Sequence, residues 1–402
     1  MRDENGTVRS APMRSIRDLP LDGKRLFLRV DFNVPLEDGR VLDATRIEET
    51  LPTIRHAVDR GARVVCASHL GKPKGKPKPE LSLAPVAVEL ARQLRGPVRF
   101  AEDCIGPEVE KVVASLAPRE VLLLENLRFH AGEEANDAEF AKGLAALSDV
   151  YVNDAFGSSH RAHASVTGVP ALVAEKGAGL LLEKEVRELS RLLEPARPFA
   201  AILGGAKISG KIDALRVLAR RADTLLLGGG IANHFVRAIG LSVGRSLLEE
   251  DKVPVAREIL DFCRANRKEI ALPSDFVVAS SPDDGGHART VGISHIPPDA
   301  MALDVGQKTL EQFERLLDPA QTIFWNGPLG VFEKHPFDRG TRALALLLAE
   351  SDAITVVGGG ESVAAVKEAG VADRFTHVST GGGASLEFLA TGSLPGIEAL
   401  SN

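Results

Sequence analysis

Charged and amide side chains follow several apolar stretches in the first half of the chain. They occur in DFN at 31–33, SHLGK at 68–72, ENLR at 125–128, NDAFG at 153–157 and HRAH at 160–163. Ligands bind beyond the carboxyl ends of parallel strands, so we expect these side chains to lie close together. Arginine, histidine and lysine in one place suit a small, multiply charged anion. Any one of His69, His160 and His163 could equally be structural, so the predicted anion site depends on the whole group.

Glycine-rich turns follow the apolar stretches of the second half. They are GGAK at 204–207, GGG at 228–230, NGP at 326–328, GGGES at 358–362 and GGG at 381–383. A single turn of this kind is usually only a tight connection. Five of them favour phosphate binding, because bare backbone N–H groups and helix N-termini can approach phosphate oxygens. An anion half and a nucleotide half together predict a phosphoryl-transfer site in a cleft between them.

Two familiar nucleotide-binding motifs are incomplete. Residues 205–211 fit the G-x-x-x-x-G-K part of a P-loop, but Ile212 stands where the motif requires Ser or Thr as a magnesium ligand. The segment GGGIAN at 228–233 lacks the last glycine of the dinucleotide fingerprint. The sequence therefore favours neither a Walker-type NTPase nor an NAD-dependent oxidoreductase.

The elements that must position these residues follow an α/β pattern. Short apolar runs alternate with amphipathic stretches, which predicts mostly parallel sheets flanked by helices. Predicted strands cover 26–30, 63–68, 121–124, 150–152, 199–203, 224–227, 277–279, 322–325, 354–357 and 377–379. Predicted helices include 84–94, 139–147, 342–348 and 362–369.

A helical pattern before two prolines predicts the domain boundary. Leu182, Val186, Leu189 and Leu193 lie at helical spacing within 181–198. We therefore predict an N-terminal domain over 1–180, a connecting helix over 181–198, a C-terminal domain over 199–385 and a tail over 386–402. Residues 1–12 are expected to be a loose extension, with Met13 as an alternative start. GKPKGKPKP at 71–79 predicts a basic loop, of which residues 74–79 are expected to be solvated.

Composition excludes several classes of protein. The 402 residues are 44% hydrophobic and 26% charged, which indicates a globular chain, and no apolar run approaches the roughly 20 residues of a membrane-spanning helix. A net charge of −6 and 4% aromatic residues argue against nucleic acid as a partner. The three cysteines lie far apart, which excludes a disulfide framework and predicts a cytoplasmic protein.

Seven groups of motifs occur in the order in which phosphoglycerate kinases carry them. They are RVDFNVP at 29–35, SHLG at 68–71, ENLR at 125–128, NDAFG at 153–157 with HRAH at 160–163, LGGAK at 203–207, WNGP at 325–328 with GVFE at 330–333, and STGGGA at 379–384. The chain thus resembles the phosphoglycerate kinase family over most of its length. The resemblance implies two Rossmann-like lobes joined by a connecting helix, with the C-terminal tail packed back on the first lobe. It also implies a monomer that transfers a phosphoryl group between ATP and the carboxylate of 3-phosphoglycerate, a step of glycolysis and gluconeogenesis.

The same resemblance implies which residues do this. The phosphoglycerate would be bound by Asp31, Phe32, Asn33, Arg46, His69, Leu70, Gly71, Lys72, Arg128 and Arg161. The nucleotide would be bound by Lys207, Lys211, Asn326, Glu333, Gly358, Gly359, Gly360, Glu361 and Ser362. Arg46, Lys207, Gly381 and Gly382 would be catalytic, and Glu361 would meet Mg²⁺, with ATP or ADP as the co-substrate.

The chemistry of this reaction agrees with the residue types. A carboxylate nucleophile has an ordinary pKa near about 4, so it needs no general base at neutral pH. The enzyme must supply positioning and positive charge instead, and we expect Lys207 to follow the migrating group and Arg46 to neutralise its charge. Backbone N–H groups of Gly381 and Gly382 would stabilise its oxygens. Hinge closure at 181–198 would exclude water.

Two residues depart from the usual pattern of the family, and two rival functions remain. Lys72 stands where arginine is common and loses the planar fork, whereas Glu361 stands where aspartate is common and changes the geometry toward Mg²⁺. Neither change removes a charge, so activity is expected.

The rivals are a kinase for another carboxylate and a silent nucleotide-binding protein. The presence of Arg46, Lys207, Lys211 and the 381–383 turn argues against the silent protein.

Overall fold

The computed structural model describes residues 13–401, which form two compact units. Unit 1 is the described part of Met1–Arg187 together with Thr391–Asn402, and unit 2 is Glu188–Ala390. Each unit contains a six-stranded, wholly parallel sheet flanked by helices, so the predicted α/β fold class is confirmed. The extension and the alternative start predicted at residues 1–12 lie outside the described residues.

Among the described residues, unit 1 contains eight strands, and helices flank its main sheet. The strands are β1 (Arg25–Arg29), β2 (Leu36–Glu37), β3 (Arg40–Val41), β4 (Arg63–Ala67), β5 (Val98–Phe100), β6 (Val121–Leu123), β7 (Val150–Asn153) and β8 (Glu175–Ala178). The helices are α1 (Thr45–Asp59), α2 (Ala84–Leu94), α3 (Pro107–Ala114), α4 (Ala131–Ala135), α5 (Ala138–Ala145), α6 (Val169–Leu172) and α7 (Leu180–Ser190). The C-terminal helix α15 (Pro395–Glu398) also belongs to this unit.

The register of the unit 1 sheet brings its polar strand ends to one edge. The strand order is β5-β6-β4-β1-β7-β8, with β2 and β3 in a separate hairpin. Arg29 at the end of β1 is paired with Ala67 of β4 on one side and with Asn153 of β7 on the other. The strands are almost continuously apolar because helices cover both faces. The side chains that follow β1, β4 and β7 must therefore meet.

Unit 2 contains nine strands and seven helices among the described residues. The strands are β9 (Phe199–Leu203), β10 (Thr224–Leu227), β11 (Glu269–Ala271), β12 (Asp275–Ala279), β13 (Arg289–Gly292), β14 (Met301–Val305), β15 (Thr322–Asn326), β16 (Ile354–Gly358) and β17 (His377–Val378). The helices are α8 (Ile212–Arg221), α9 (Gly229–Ala238), α10 (Val253–Ala265), α11 (Gln307–Leu317), α12 (Arg339–Ala349), α13 (Gly360–Glu368) and α14 (Gly383–Thr391).

The main sheet of unit 2 has the strand order of the dinucleotide-binding fold. Its order is β11-β10-β9-β15-β16-β17, which is 3-2-1-4-5-6 in chain order among the strands of this sheet. Asn326 at the end of β15 is paired with Leu203 of β9 and with Gly358 of β16. The glycine turns that follow these three strands therefore lie at the switch point of the sheet, where such folds bind ligands.

The predicted strand at 277–279 lies outside the parallel sheet. It belongs to β12, which pairs antiparallel with β13 and β14 in a separate three-stranded sheet. The link between β12 and β13 is only residues 280–288, which is too short for the crossover that parallel strands require.

The predicted helix over 181–198 is shorter than expected. Helix α7 ends at Ser190, and Leu192 and Leu193 close it with tighter i to i+3 hydrogen bonds to Leu189 and Ser190. Pro195 disfavours helical backbone in the residue before it and clashes with the carbonyl four residues back, so the helix ends early. The division between the two units falls inside α7.

A buried aspartate begins α7. Oδ1 of Asp154, which follows β7, accepts the N–H groups of Leu181 at 2.9 Å and Leu182 at 3.0 Å. Burial raises the pKa of Asp154 to about 7, although these hydrogen bonds oppose the shift. The strand end therefore fixes the start of this helix.

The C-terminal residues pack within unit 1. Gly396 donates its N–H to the carbonyl of Ser159 at 2.8 Å, and its own carbonyl accepts from Nδ2 of Asn153 at 3.3 Å. A side chain at Gly396 would meet Val166 at 2.7 Å. Across residues 13–401, no helix is both long enough and apolar enough to span a membrane.

Candidate active site

The core of the unit 1 site is an ion pair between the end of β1 and the start of α1. Arg46, in the first turn of α1, places Nη1 2.7 Å from Oδ1 of Asp31. Asp31 also accepts from the N–H of Asn33 and from Oγ of Ser158, each at 3.2 Å. Burial alone would raise the pKa of Asp31, but Arg46 above all holds it well below its usual range. Asp31 is thus an ionised anchor that orients Arg46.

Arg128 presents unpaired donors from a buried position. Its Nη1 donates to the carbonyl of Gly71 at 2.8 Å, and the N–H of Gly71 donates to Oδ1 of Asn33 at 2.9 Å. Nε and Nη2 of Arg128 have no hydrogen-bond partner among the described residues, although Oε1 of Glu134 lies 3.3 Å from Nε. Burial and the nearby Arg161 lower the pKa of Arg128 to about 10, so it stays charged at neutral pH. A buried cation with free N–H groups is suited to hold an anion.

Two histidines beside Arg161 are neutral. Arg161 donates from Nε to Nε2 of His160 at 3.1 Å. Burial, reinforced by Arg128, lowers the pKa of His163 to about 3, and burial followed by Arg161 lowers that of His160. The Nδ1 atoms of both rings are buried without a hydrogen bond from the part of the chain that the structure describes. The site therefore holds its fixed positive charge on the arginines.

Asn126 shapes this edge and was not singled out from the sequence. Its Nδ2 donates to the carbonyls of Leu70 at 2.8 Å and Leu81 at 2.9 Å, and its Oδ1 accepts the N–H groups of Leu70 at 3.2 Å and Arg128 at 3.1 Å. One amide thus aligns the turn after β4 with the turn that carries Arg128. Its place in ENLR, between Glu125 and Arg128, was the available signal.

Phe32 and Leu70 have neither an exposed side chain nor a free N–H group for the phosphoglycerate that they are predicted to bind. Both side chains are buried in the hydrophobic core of unit 1. Their N–H groups are already used, by Oγ of Ser68 at 2.8 Å and by Asn126 at 3.2 Å. These residues shape the turns because apolar burial dominates their positions. Lys72, by contrast, is exposed.

Lys211 lies at the switch point of the unit 2 sheet. Its Nζ donates to the carbonyl of Gly204, after β9, at 2.8 Å and to that of Asn326, at the end of β15, at 3.3 Å. A side chain at Gly327 would lie 2.5 Å from Nζ, so only glycine leaves room there. Burial lowers the pKa of Lys211 to about 8, with Glu361 opposing the shift. Lys211 is therefore mostly charged at pH 7 and held between two strand ends.

The turn after β16 approaches Asn326 closely. Gly359 has a φ of +91°, and a side chain there would lie 3.2 Å from Nδ2 of Asn326. That Nδ2 is buried without a hydrogen bond to the described residues. Oγ of Ser362 accepts the N–H of Gly327 at 2.7 Å and joins the two turns. The predicted residues 358–362 and Asn326 are thus brought together, with one free amide donor.

A pocket of about 250 Å³ lies beside these turns within unit 2. Its walls combine glycine backbone with apolar side chains, and its lining includes Gly205, Gly229, Gly230, Phe276, Met301, Leu303 and Leu329. Glu333 and Glu361 also line it. An apolar wall with a few polar groups is typical of a site for a flat organic ligand.

The carboxylates of Glu333 and Glu361 fit the donor preference of Mg²⁺. Burial, and then the negative charge of Glu333, raise the pKa of Glu361. A hard divalent cation binds carboxylate oxygens and would relieve this repulsion. The residues present therefore suit the metal that was predicted at Glu361.

The predicted catalytic residues of unit 2 differ in whether their donor groups are available to a ligand. Lys207 is exposed at the turn after β9. The N–H of Gly381 donates to Oγ of Ser379 at 3.1 Å. It is therefore already occupied, whereas the sequence predicts that it binds a phosphoryl oxygen. Oγ of Ser379 also lies 2.7 Å from Oγ of Ser385 in α14, so it joins this turn to the helix. Gly382 has a φ of +55°, and no atom lies within 4 Å of the position that a side chain would take there.

Asp103, Cys104 and His130 form a second cluster of polar groups in unit 1. Nε2 of His130 lies 2.6 Å from Oδ1 of Asp103, and the same oxygen accepts the N–H of Cys104 at 2.6 Å. Burial raises the pKa of the Cys104 thiol well above its usual value, so the thiol is protonated at neutral pH. These contacts satisfy the cluster internally.

Comparison with known proteins matches most of the chain to one family. The model of the family described as "Phosphoglycerate kinase" matches residues 16–392. Phosphoglycerate kinase of Moorella thermoacetica is 52% identical over 388 residues, which are 96% of this chain and 98% of the relative. That of Solibacter usitatus is 53% identical over 392 residues, 96% of this chain and 98% of the relative.

Solved structures of phosphoglycerate kinases resemble this chain over nearly its whole length. Phosphoglycerate kinase from Coxiella burnetii has a TM-score of 0.84 at 40% identity and covers 97% of this chain and 99% of its own. The enzyme from Pyrococcus horikoshii has a TM-score of 0.86 at 34% identity and covers 96% and 98%.

Proposed function

The chain belongs to the phosphoglycerate kinase family, and we propose that it catalyses the reversible, Mg²⁺-dependent transfer of a phosphoryl group between ATP and the carboxylate of 3-phosphoglycerate. The products are ADP and 1,3-bisphosphoglycerate. The observation that carries this proposal is Arg128, a buried guanidinium whose Nε and Nη2 lack hydrogen-bond partners in the described chain. Oε1 of Glu134 lies 3.3 Å from Nε and offsets part of this charge, and a bound anion would satisfy the donors that remain.

Unit 1 is the proposed phosphoglycerate site. Arg46, Arg128 and Arg161 supply positive charge, and Asn33 and Gly71 hold the turn that carries them together. The neutral rings of His160 and His163 add polar atoms without adding charge. Three arginines and neutral donors suit a ligand that carries both a phosphate and a carboxylate.

Unit 2 is the proposed nucleotide site. The glycine-walled pocket would hold the nucleoside, and the turns at 204–207 and 358–362 would meet the phosphates through backbone N–H groups and Lys211. Glu361 and Glu333 would hold Mg²⁺, which neutralises phosphate charge when bound. A nucleoside site in unit 2 and an anion site in unit 1 would explain why the unit 2 pocket is apolar and the edge of the unit 1 sheet is rich in arginine.

The reaction needs no general base. The attacking carboxylate is ionised at neutral pH, so the residues must orient it and stabilise charge on the migrating group. We assign Lys207 to that group, with Arg46 as its counterpart on the phosphoglycerate side and Gly382 as a backbone donor. In-line transfer requires the phosphoglycerate carboxylate and the phosphoryl group of ATP to approach directly, and we propose hinge closure about α7 for this step.

A coupled assay tests the proposed function. The protein is mixed with MgATP and 3-phosphoglycerate, and glyceraldehyde-3-phosphate dehydrogenase with NADH reports the acyl phosphate. We expect NADH oxidation that requires both substrates and stops when EDTA removes magnesium. Folded protein that binds ATP but shows no oxidation that depends on 3-phosphoglycerate would contradict the proposal, and it would favour a kinase for another acid or a silent nucleotide-binding protein.

We further propose that the enzyme acts as a cytoplasmic monomer. The resemblance to the family supports a monomer, and three free, buried cysteines suit a reducing compartment. Sedimentation at assay concentration tests the monomer. A stable dimer would contradict it.

A further inference from the structure

A buried chain of four polar side chains lies behind the anion site of unit 1. It consists of Glu133 on α4, Ser165 in the π-helical turn Ala164–Gly168, Arg29 at the end of β1, and His69 after β4. Glu133, Ser165 and Arg29 are fully buried, and His69 is 3% exposed. Burying four polar groups is costly unless each finds a partner. Each of the four has a hydrogen-bond partner within the group.

The distances form one continuous path. The two carboxylate oxygens of Glu133 accept from Ser165, one from its Oγ at 2.6 Å and the other from its N–H at 2.9 Å. Oγ of Ser165 in turn accepts from Nε of Arg29 at 2.8 Å. Nη2 of Arg29 lies 3.2 Å from Nδ1 of His69, and its Nη1 donates to the carbonyl of Val30.

Chemistry determines the direction of every hydrogen bond in this path. A guanidinium carries only donors and does not lose its proton in proteins, so Nδ1 of His69 must accept and cannot carry a proton. A carboxylate only accepts, so the hydroxyl proton of Ser165 points to Glu133, and its oxygen lone pair faces Arg29. The single proton of the His69 ring must then sit on Nε2.

We propose that Glu133, Ser165 and Arg29 are positioning residues, which together hold the proton of His69 on Nε2 and so present this ring to the anion as a hydrogen-bond donor. Glu133 acts on Arg29 through the hydroxyl of Ser165, and it adds to the negative charge of Asp31 near the buried guanidinium. Without it, the hydroxyl of Ser165 would lose its acceptor and could turn its proton toward Nε of Arg29, which would weaken the hold on the guanidinium and on Nδ1 of His69.

The surroundings of His69 agree with this assignment. Burial lowers the pKa of His69 well below its usual value, and Arg29, Arg128 and Arg161 add to the shift while Asp31 opposes it. No hydrogen bond from the described residues reaches Nε2 of His69. A neutral ring that must accept at Nδ1 is left with one donor for a ligand.

The identity of the ligand rests on the proposed function, whereas the position of the proton does not. The hydrogen-bond directions follow from the chain's own residues. Phosphoglycerate enters only as the anion that would meet Nε2–H. The two claims can therefore fail separately.

Nuclear magnetic resonance of the wild-type protein tests the position of the proton directly. In protein labelled with ¹⁵N-histidine, two-bond nitrogen–proton correlations distinguish the two tautomers and the doubly protonated ring. The His69 signal is identified by its loss in His69→Gln. We expect protonated Nε2 and unprotonated Nδ1 throughout mildly acidic to mildly basic pH, and a change in the Nε2–H resonance when 3-phosphoglycerate is added. A proton on Nδ1, or a doubly protonated ring at neutral pH, would overturn the proposal.

Variants test the part played by Glu133. Glu133→Gln keeps the shape and removes the charge, and Ser165→Ala breaks the path while leaving Glu133 and Arg29 in place. Each is expected to raise KM for 3-phosphoglycerate by about five- to tenfold, the scale of one charge-assisted hydrogen bond, with little change in KM for ATP or in kcat. The His69 signals should broaden or divide between tautomers, which a merely structural loss would not cause. Glu139→Gln, at an exposed glutamate on α5, is the matched control and should change nothing.

The outcomes separate the two claims. A wild-type tautomer and wild-type KM in folded Glu133→Gln or Ser165→Ala would overturn the role of the path. If both variants fail to fold, the wild-type tautomer still decides the proton position. A correct tautomer in a protein without turnover of 3-phosphoglycerate would contradict the proposed function and leave the proton assignment standing.

Discussion

The two units build similar parallel sheets and place different chemistry at the strand ends. In unit 1, Asp31, Arg46 and Arg128 are long or charged side chains held by hydrogen bonds to neighbouring turns. In unit 2, the corresponding edge is mostly glycine backbone, with Lys211 as a half-buried cation between strand ends. A small anion with few atoms must be held by charges that reach it. A nucleotide has a large flat base and a chain of phosphates, which backbone can approach closely.

This difference has a cost in each unit. Unit 1 must bury arginines and orient them, and it uses Asp31, Asn126 and the path from Glu133 to do so. Unit 2 avoids that cost but needs glycine where a side chain would collide, as at Gly204, where a side chain would lie 2.1 Å from the carbonyl of Pro328. We therefore expect unit 1 to be sensitive to loss of charge and unit 2 to added methyl groups.

The largest effect is expected from Lys207→Ala in unit 2. Loss of a cation assigned to the migrating group should lower kcat by at least about 100-fold, the scale of removing one transition-state donor. Lys207 is exposed, so the fold should be intact by circular dichroism. Lys308→Ala, at an exposed lysine on α11, is the control. Near-normal kcat would remove Lys207 from its role.

Arg128→Lys tests the dependence of unit 1 on planar donors. Lysine keeps the charge but loses the fork that lets Nη1 hold Gly71 while Nε and Nη2 meet an anion. KM for 3-phosphoglycerate should rise about tenfold, with KM for ATP unchanged. Steady-state kinetics measure both values, and Arg119→Lys at an exposed loop is the control. Equal changes in both KM values would mean that the substitution disturbs more than this site.

Gly359→Ala tests the dependence of unit 2 on bare backbone. Alanine is strained at a φ of +91° and would press on Asn326 from 3.2 Å. We expect several-fold weaker MgATP binding by calorimetry and unchanged 3-phosphoglycerate binding. Gly370→Ala has a similar φ of +70° with no atom within 4 Å, so it reproduces the strain outside the site. Equal loss of ATP affinity in both variants would attribute the effect to stability alone.

Titration of Lys211 should make the affinity for MgATP depend on pH, without a matching effect on 3-phosphoglycerate binding. With a pKa of about 8, it loses its charge as the pH rises past 8, so MgATP affinity should fall several-fold between about pH 7.5 and 9. Lys211→Arg stays charged and should abolish this fall. Between about pH 8 and 10.5 the unfolded chain binds more protons than the folded one, so this group makes the free energy of unfolding rise with pH. A flat affinity profile in the wild type would contradict the assignment.

The smallest expected effect is the pH dependence that Asp154 gives to the stability of α7. Its pKa is raised to about 7, so the folded chain holds a proton that the unfolded chain has lost between about pH 4 and 7. The free energy of opening of α7 should therefore fall by about 1–3 kcal/mol as the pH rises through that range. Hydrogen exchange of α7 amides measures it. Asp154→Asn should remove the dependence, and an unchanged slope in that variant would show that other groups cause it.

Most long apolar runs were predicted in place. The strands at 199–203 and 224–227 and the helix at 84–94 match β9, β10 and α2 residue for residue. The short strands β5, β8 and β11 were not predicted, since three or four residues with charges or glycine carry little periodic signal. Their strand character comes from pairing with neighbours, which is a property of the folded sheet.

Only some residues of the candidate site could be predicted from the sequence. The resemblance to the family was enough to name Arg46, Arg128, Lys211 and Glu361 as predicted site residues, and of these only Arg128 lies inside one of the ordered motifs. Asn126, Ser165 and Glu133 were missed, since each acts through partners distant in the chain. Glu133 and Ser165, for example, are 32 positions apart.

Residue types and their order alone determined the α/β class, the contrast between a charged half and a glycine-rich half, and the family. Tertiary structure decided the separate antiparallel sheet, the early end of α7, and which donors are free. Apolar burial and turn chemistry depend on neighbours a few residues apart, so a sequence displays them. Free donors, proton positions and shifted pKa values depend on burial and on charges brought together by the sheet register, and these exist only once the chain has folded.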